Sequence, residues 1–293
     1  MSTVMDLSNA LATAVEHAAR SVVSVHGRAR LPSTGVQWRD GLVITANHTI
    51  ESDGEIALAA DGRTVSAQVA GRDPALDIAV LRTASNGVRV ADLGGDGDIR
   101  VGHLVLAVGA GPRASAGIIS ALDVHGRAAA GDTFAVDLTL YPGFSGGPLI
   151  DVRGRVLGIT TSGLSRHLEA AVRVAAVARL VEQVVSRGRI PRAYLGIGTQ
   201  PVELPEELRA RLSLAQRRAL IVVNVQSGSP ATAGGLTIGD VVVAIAGHVV
   251  AAPEDLLSVL RPDRVGSVVT VSVLRGGEAR ELQVTVGERP SRA

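Results

Sequence analysis

The sequence predicts a mainly β chain, with short strands over its first two-thirds and a smaller module of mixed α and β after them. Three observations carry this reading. Between Ser21 and about Thr160, short runs of Val, Ile and Leu recur, most of them bounded by Gly, Pro, Asp or Asn, the pattern of a sandwich or of barrels. Glycine reaches 34 residues while aromatics are only 2%, which fits cores of small branched side chains joined by glycine turns. An amphipathic stretch, Ala171 to Gly188, then leads into the polar connector Arg187-Gly188-Arg189-Ile190-Pro191-Arg192, where one unit closes and another begins at Tyr194.

Taken in order, Leu7, Ala10, Leu11, Ala14 and Ala18 recur at helical spacing, with Asp6 as candidate N-cap, so residues 1–20 read as a helix packed on the first domain. Strands follow at Val22–Val25, Leu42–Thr45, Glu55–Ala59, Thr64–Ala70, Ile78–Leu81, Leu104–Val108, Gly117–Leu122, Phe134–Leu138 and Arg155–Thr160. Val174, Val177, Leu180, Val181, Val184 and Val185 give the helix from Ala171 its apolar stripe, and Gly188 ends it. The domains thus read as 21–188 and 194–288, a division that suits 293 residues. The second holds strands at Leu195–Gln200, Leu220–Val225, Val241–Ile245, Val268–Leu274 and Glu281–Val286. Between them lie helices at Glu206–Leu212, just after the Ser227-Gly228-Ser229-Pro230 turn, and from Pro253 to Leu260.

Composition removes several chemistries. With 29 Lys and Arg against 28 Asp and Glu, the net charge of +1 gives no electrostatic case for nucleic acid or an anionic membrane. The absence of cysteine excludes disulfides, thiol nucleophiles and Cys-ligated metals. Residues 1–20 carry Asp6, Glu16 and His17 where an export signal needs apolar residues, and apolar runs elsewhere are broken before membrane-spanning length. The expectation is a cytoplasmic location, or an extracytoplasmic one if translation starts upstream.

The most informative segment is Tyr141-Pro142-Gly143-Phe144-Ser145-Gly146-Gly147-Pro148-Leu149. A nucleophilic serine must project from a tight turn while backbone N–H groups face the developing oxyanion, and glycines permit both. Gly143 and Ser145 are the candidate donors, although the motif alone fits a glycine-rich hairpin equally well. A serine also needs an imidazole to take its proton and a carboxylate to orient the imidazole. His48 closes the apolar run Leu42-Val43-Ile44-Thr45, and Asp77 precedes the apolar run Ile78-Ala79-Val80-Leu81, with Asp73 before Pro74 the better turn-former. His48, Asp77 and Ser145 follow the chymotrypsin-type order.

These three segments, with the C-terminal module, resemble the HtrA/Deg family of trypsin-like serine proteases carrying a PDZ domain. The resemblance includes the Ser33-Thr34-Gly35-Val36 turn and Asp40-Gly41 ahead of the His48 segment. In the module, Tyr194-Leu195-Gly196-Ile197 resembles the family's carboxylate-binding loop, and Gly228-Ser229-Pro230-Ala231 through Gly239-Asp240-Val241-Val242 the PDZ core signature. The family implies a chymotrypsin-like double β-barrel, six strands in each barrel, followed by an α+β PDZ domain. Extended peptide C-termini would join the strand after the loop by β-augmentation. Leu256, Leu257 and Leu260 of the facing helix are candidate groove residues, although leucines there also fill cores.

The resemblance implies ATP-independent endopeptidase activity on unfolded or exposed polypeptide, no metal or cofactor, and activity that falls as His48 protonates. It also implies a homo-oligomer, a trimer built through N-terminal aromatics, yet the first aromatic residue is Trp38. Phe144 stands where the family commonly has Asn, and Tyr141 where a small polar residue is usual, so both are candidate substrate-pocket residues. Thr139, six residues before the serine, is the candidate pocket base; without an acid there, Val or Ala is expected before the scissile bond. The rival reading is a PDZ adaptor whose protease domain is latent or weakly active.

Overall fold

The computed structural model describes residues 2–29, 31–95, 97, 99–111, 113–123, 131–165, 168–188 and 193–289. It divides into two compact units, Met1–Ile190 and Pro191–Ala293.

The first unit opens with α1 (Ser2–Ala19). Because the helix begins at Ser2, Asp6 lies inside it and is not its N-cap. Leu7 and Ala10 are exposed, Leu11 is half-buried, and only Ala14 and Ala18 of the stripe are buried.

Six strands then close a barrel: β1 (Val22–His26), β2 (Ser33–Arg39), β3 (Leu42–Ala46), β4 (Ile56–Ala60), β5 (Arg63–Asp73) and β6 (Ile78–Thr83). The second barrel uses β7 (Leu104–Gly109), β8 (Arg113–Ala121), β9 (Thr133–Asp137), β10 (Pro148–Ile150), β11 (Val156–Thr161) and β12 (Glu169–Arg173). The first closes as β1-β2-β3-β6-β5-β4 and the second as β7-β8-β9-β12-β11-β10, so both barrels share one strand order.

Each strand alternates its side chains between two faces. In β3, Val43 joins the interior of the first barrel with Val25, Leu58 and Leu81, while Leu42 and Ile44 turn outward. That outward face also buries itself, against Leu106, Val108 and Ile159 of the second barrel. All five residues of β3 are therefore buried, and the strand reads as a continuous apolar run. α2 (Val174–Arg187) covers the layer between the barrels with Val177, Leu180, Val181 and Val184. It starts later than the sequence predicts because Glu169–Arg173 forms β12, paired with β9 and β11. Gly188 ends it in the left-handed conformation, φ 74°. β2 also corrects the sequence reading, since Ser33-Thr34-Gly35-Val36 is a buried strand and not a turn.

The second unit contains β13 (Ala193–Tyr194), β14 (Ile197–Glu203), α3 (Glu206–Leu212), β15 (Arg218–Val225), α4 (Pro230–Ala233) and β16 (Val241–Ile245). It continues with β17 (His248–Val249), α5 (Pro253–Val259), β18 (Val268–Arg275), β19 (Glu278–Thr285) and β20 (Gly287–Glu288). One sheet runs β14-β15-β16-β18-β19, which leaves β14 at its edge beside α5. The predicted strand Leu195–Gln200 is interrupted because Gly196 turns the chain at φ 85°, where a Cβ would lie 2.3 Å from that of Ser229. Among the described residues no helix is long and apolar enough to cross a membrane.

Candidate active site

His48 and Asp77 meet because β3 and β6 are paired neighbours, with Ala46 opposite Ile78. The strand ends are locked by the Asn47 N–H, which donates to the Asp77 carbonyl at 2.9 Å. Asp77 adopts φ 56°, a left-handed conformation that Asp tolerates better than most residues. Asp73 makes the turn before it, accepting from the N–H groups of Ala75 and Leu76 at 2.9 and 3.1 Å.

Asp77 is only 4% exposed, and its carboxylate is correspondingly well partnered. Oδ1 accepts from the His48 backbone N–H at 2.8 Å, and Oδ2 lies 2.6 Å from His48 Nδ1. A second donor to Oδ2 is the hydroxyl of Thr161, at the end of β11. A carboxylate can only accept, so His48 carries its proton on Nδ1, which leaves Nε2 free to act as a base. Gly163 closes the back of this pair: a Cβ there would lie 2.4 Å from Asp77 Oδ2 and 2.8 Å from His48 Nδ1. Arg72 braces the turn that carries His48, donating to Asn47 Oδ1 at 3.1 Å, Ile50 O at 2.9 Å and Ser52 O at 2.9 Å.

Ser145 sits in a turn fastened to both barrels. Its carbonyl accepts from Thr34 N–H at 3.2 Å, and the Thr34 hydroxyl donates to Gly143 O at 2.6 Å. The next residue, Gly146, has φ 87°, and a Cβ there would lie 2.2 Å from Thr34 O. No other residue type fits. The Ser145 hydroxyl lies 3.2 Å from Ser162 Oγ, and no hydrogen bond joins it to His48 among the described residues.

The candidate pocket residues separate. Tyr141 is exposed and its ring centroid lies 5.9 Å from that of Phe144. Phe144 itself is 1% exposed and belongs to the core of the second barrel, so its ring is not a pocket surface. The sequence could not show this, because which way the residue before the serine faces depends on the turn. Thr139 is exposed on the segment after β9. Thr161, Ser162 and Gly163 are the site residues that sequence reasoning missed. Two adjacent threonines inside the apolar run of β11 were the only signal.

In the second unit, Leu195 is buried in the core, its carbonyl accepting from Ala231 N–H at 2.8 Å, so it offers backbone alone to a ligand. Tyr194 OH donates to Gln226 Oε1 at 2.5 Å, pinning the loop from outside. Ile197, Leu256 and Leu260 are half-buried against the core, and the side chain of Leu257 lies outside the described part.

Comparison with known proteins agrees with this geometry. A trypsin-like peptidase domain matches residues 33–159 and a PDZ domain matches residues 193–286. The "Probable periplasmic serine endoprotease DegP-like" of Brucella suis biovar 1 (strain 1330) is 33% identical over 266 residues, covering 86% of this chain and 51% of that protein. Its counterpart in Ectopseudomonas mendocina (strain ymp) is 31% identical, covering 86% of this chain and 55% of that protein. The chain therefore spans about half the length of these relatives. Among solved structures, the HtrA-type protease AlgW with a decapeptide matches with a TM-score of 0.67 and 27% identity, covering 96% of this chain and 99% of that one. The serine endoprotease from Yersinia pestis matches with a TM-score of 0.66 and 25% identity, covering 94% of this chain and 97% of that one. With a double-barrel trypsin-like peptidase domain followed by a PDZ domain, the chain has the domain pairing of the DegP-like and HtrA-type serine proteases to which it is similar.

Proposed function

We propose that this chain is an ATP-independent serine endopeptidase that cuts unfolded or exposed polypeptide segments. Ser145 attacks the scissile carbonyl, His48 takes its proton and returns it to the leaving amine, and Asp77 orients the imidazole and stabilises its cation. The amides of Gly143 and Ser145 receive the oxyanion. The observation that carries the reading is the buried Asp77 carboxylate bonded to both Nδ1 and the backbone of His48, opposite a serine held in a glycine turn. Attack requires the Ser145 hydroxyl, which lies 3.2 Å from Ser162 Oγ, to turn toward His48 Nε2.

The PDZ unit, with domain limits near 194–288, takes peptide C-termini along the open edge of β14, with Gly196 and Ile197 supplying backbone and Leu256 and Leu260 apolar surface. Leu257 and Thr139 keep the groove and pocket roles expected of them. Protein quality control is the task that fits such a pairing. The relatives' names favour an extracytoplasmic location over a cytoplasmic one, which fractionation of the tagged chain tests. Light scattering tests the homo-oligomer.

The deciding experiment is casein degradation and fluorophosphonate labelling by the wild type beside Ser145→Ala. Loss of both only in the variant supports the reading. A wild type that neither labels nor cleaves, even with a hydrophobic C-terminal peptide added, overturns it in favour of a PDZ adaptor.

A further inference from the structure

We propose that Arg113 is the positioning residue for one of the two oxyanion donors, an assignment that rests on the protease reading above. A planar trans peptide points its C=O and N–H in opposite directions, so whatever holds the carbonyl also aims the amide hydrogen. The Ser145 N–H belongs to the Phe144–Ser145 peptide. Its carbonyl accepts from Gly147 N–H at 2.9 Å and from the fully buried Thr160 hydroxyl at 2.9 Å. That donor is therefore aimed by the interior of the barrel.

The Gly143 N–H belongs to the Pro142–Gly143 peptide, and it is aimed differently. The Pro142 carbonyl accepts from Arg113 Nη1 at 3.2 Å, its one hydrogen bond among the described residues. Arg113 is the first residue of β8, on the hairpin beside the serine turn, and its side chain is exposed. It is nonetheless anchored at two further points. Its Nε donates to Ala110 O at 3.1 Å, and its guanidinium carbon lies 5.3 Å from the centroid of the Phe144 ring. Phe144 is a rigid platform for that cation, because it is buried and packed so closely on Gly109 that a Cβ there would lie 3.1 Å from the ring. A Cβ on Gly143 would likewise lie 3.1 Å from Arg113 Nη2, so the guanidinium rests against the very residue that donates. Phe144, excluded from the pocket, thus has a role: its face holds the arginine that orients the neighbouring amide.

One donor is fixed by the core and the other by a surface side chain, and this asymmetry gives the assignment a signature. An oxyanion donor acts on charge that develops in the transition state, so disturbing it lowers kcat and leaves KM nearly unchanged. Lysine keeps the charge but lacks the planar fork that bonds and stacks at once, so it restores only part of the loss.

The test uses the full chain as wild type, Ser145→Ala, Arg113→Ala, Arg113→Gln and Arg113→Lys. Each is assayed on a fluorogenic peptide with Val before the scissile bond and on inhibition by the corresponding peptide aldehyde. Losing one oxyanion donor costs about 100- to 1,000-fold, so misaligning one is expected to lower kcat by roughly 10- to 100-fold with KM within about twofold. The aldehyde inhibition constant should rise in step, Arg113→Lys should fall between wild type and Arg113→Ala, and Arg113→Gln guards against a misfolded alanine variant. Unchanged kcat in Arg113→Ala and Arg113→Gln, or a loss confined to KM with aldehyde affinity intact, overturns the assignment alone. A wild type that neither labels with fluorophosphonate nor cleaves overturns the protease reading and the assignment with it.

Discussion

The hydroxyl of Thr161 donates to the same Asp77 carboxylate oxygen that faces the His48 imidazole. This brings the end of β11 in the second barrel onto the His48–Asp77 pair presented by the first. Thr161→Val keeps the shape and removes the donor, leaving a buried carboxylate oxygen one partner short. A hydrogen bond to a charged group contributes about 1.5 to 3 kcal/mol, so kcat/KM is expected to fall roughly 10- to 100-fold, with Thr161→Ser close to wild type. Steady-state kinetics on one peptide substrate checks this; equal losses in Val and Ser would show that the methyl, not the hydroxyl, matters.

Gly163 makes a sterically cleaner probe. Its missing Cβ is what lets Asp77 and His48 sit together, since that atom would lie 2.4 Å from Asp77 Oδ2. Gly163→Ala must push the pair aside, and a displacement near 1 Å is expected to cost on the order of 100-fold in kcat. Circular dichroism should remain native, because the disturbance is confined to the site. A fully active Gly163→Ala would mean that the pair can shift without penalty.

Ser162 Oγ lies 3.2 Å from the Ser145 hydroxyl, so in the proposed mechanism it competes with His48 for that group. Ser162→Ala removes the competitor, and an ordinary hydrogen bond has a net value of about 0.5 to 1.5 kcal/mol, so fluorophosphonate labelling is expected to quicken roughly 2- to 10-fold. A slower rate would assign Ser162 a supporting role instead.

Which of these features the sequence disclosed follows from the range of the interactions behind them. The barrel strands were legible where both faces are apolar, as in β3 and β6, because burial on two sides leaves no alternation to misread. β2 was not, since Ser33, Thr34 and Gly35 have the composition of a turn. They are buried because Thr34 bonds the serine turn of the other barrel, a partner more than a hundred residues away. The predicted start of α2 at Ala171 falls within β12 because alanine suits either element, and only pairing with β9 decides. His48 and Asp77 stand out because His48 follows one local apolar run and Asp77 precedes another. Thr161, Ser162, Gly163 and Arg113 reach the site only through strand register and turn geometry, which no local pattern encodes.

Asp240 and Arg275 give the second unit a pH dependence whose sign can be worked out. Burial alone would raise the Asp240 carboxyl, but Arg275 and the Thr237 amide outweigh it and hold the group below the usual carboxylate range. Arg275 binds it through two bonds, Nε to Oδ1 at 2.7 Å and Nη2 to Oδ2 at 2.8 Å. With the folded value below the unfolded one, near 3.9, the unfolded chain binds the extra proton, so stability rises with pH across that window. The contribution is complete above the unfolded value and is lost as pH falls through the folded one. Hydrogen exchange of amides in residues 193–289 of the full chain, measured from about pH 5 down to about pH 3, should therefore show protection falling in the wild type. In Asp240→Asn the neutral amide leaves Arg275 without its charged partner, so protection should start lower at pH 5 and decline less steeply. Parallel declines in the two chains would place the acid sensitivity elsewhere in the unit.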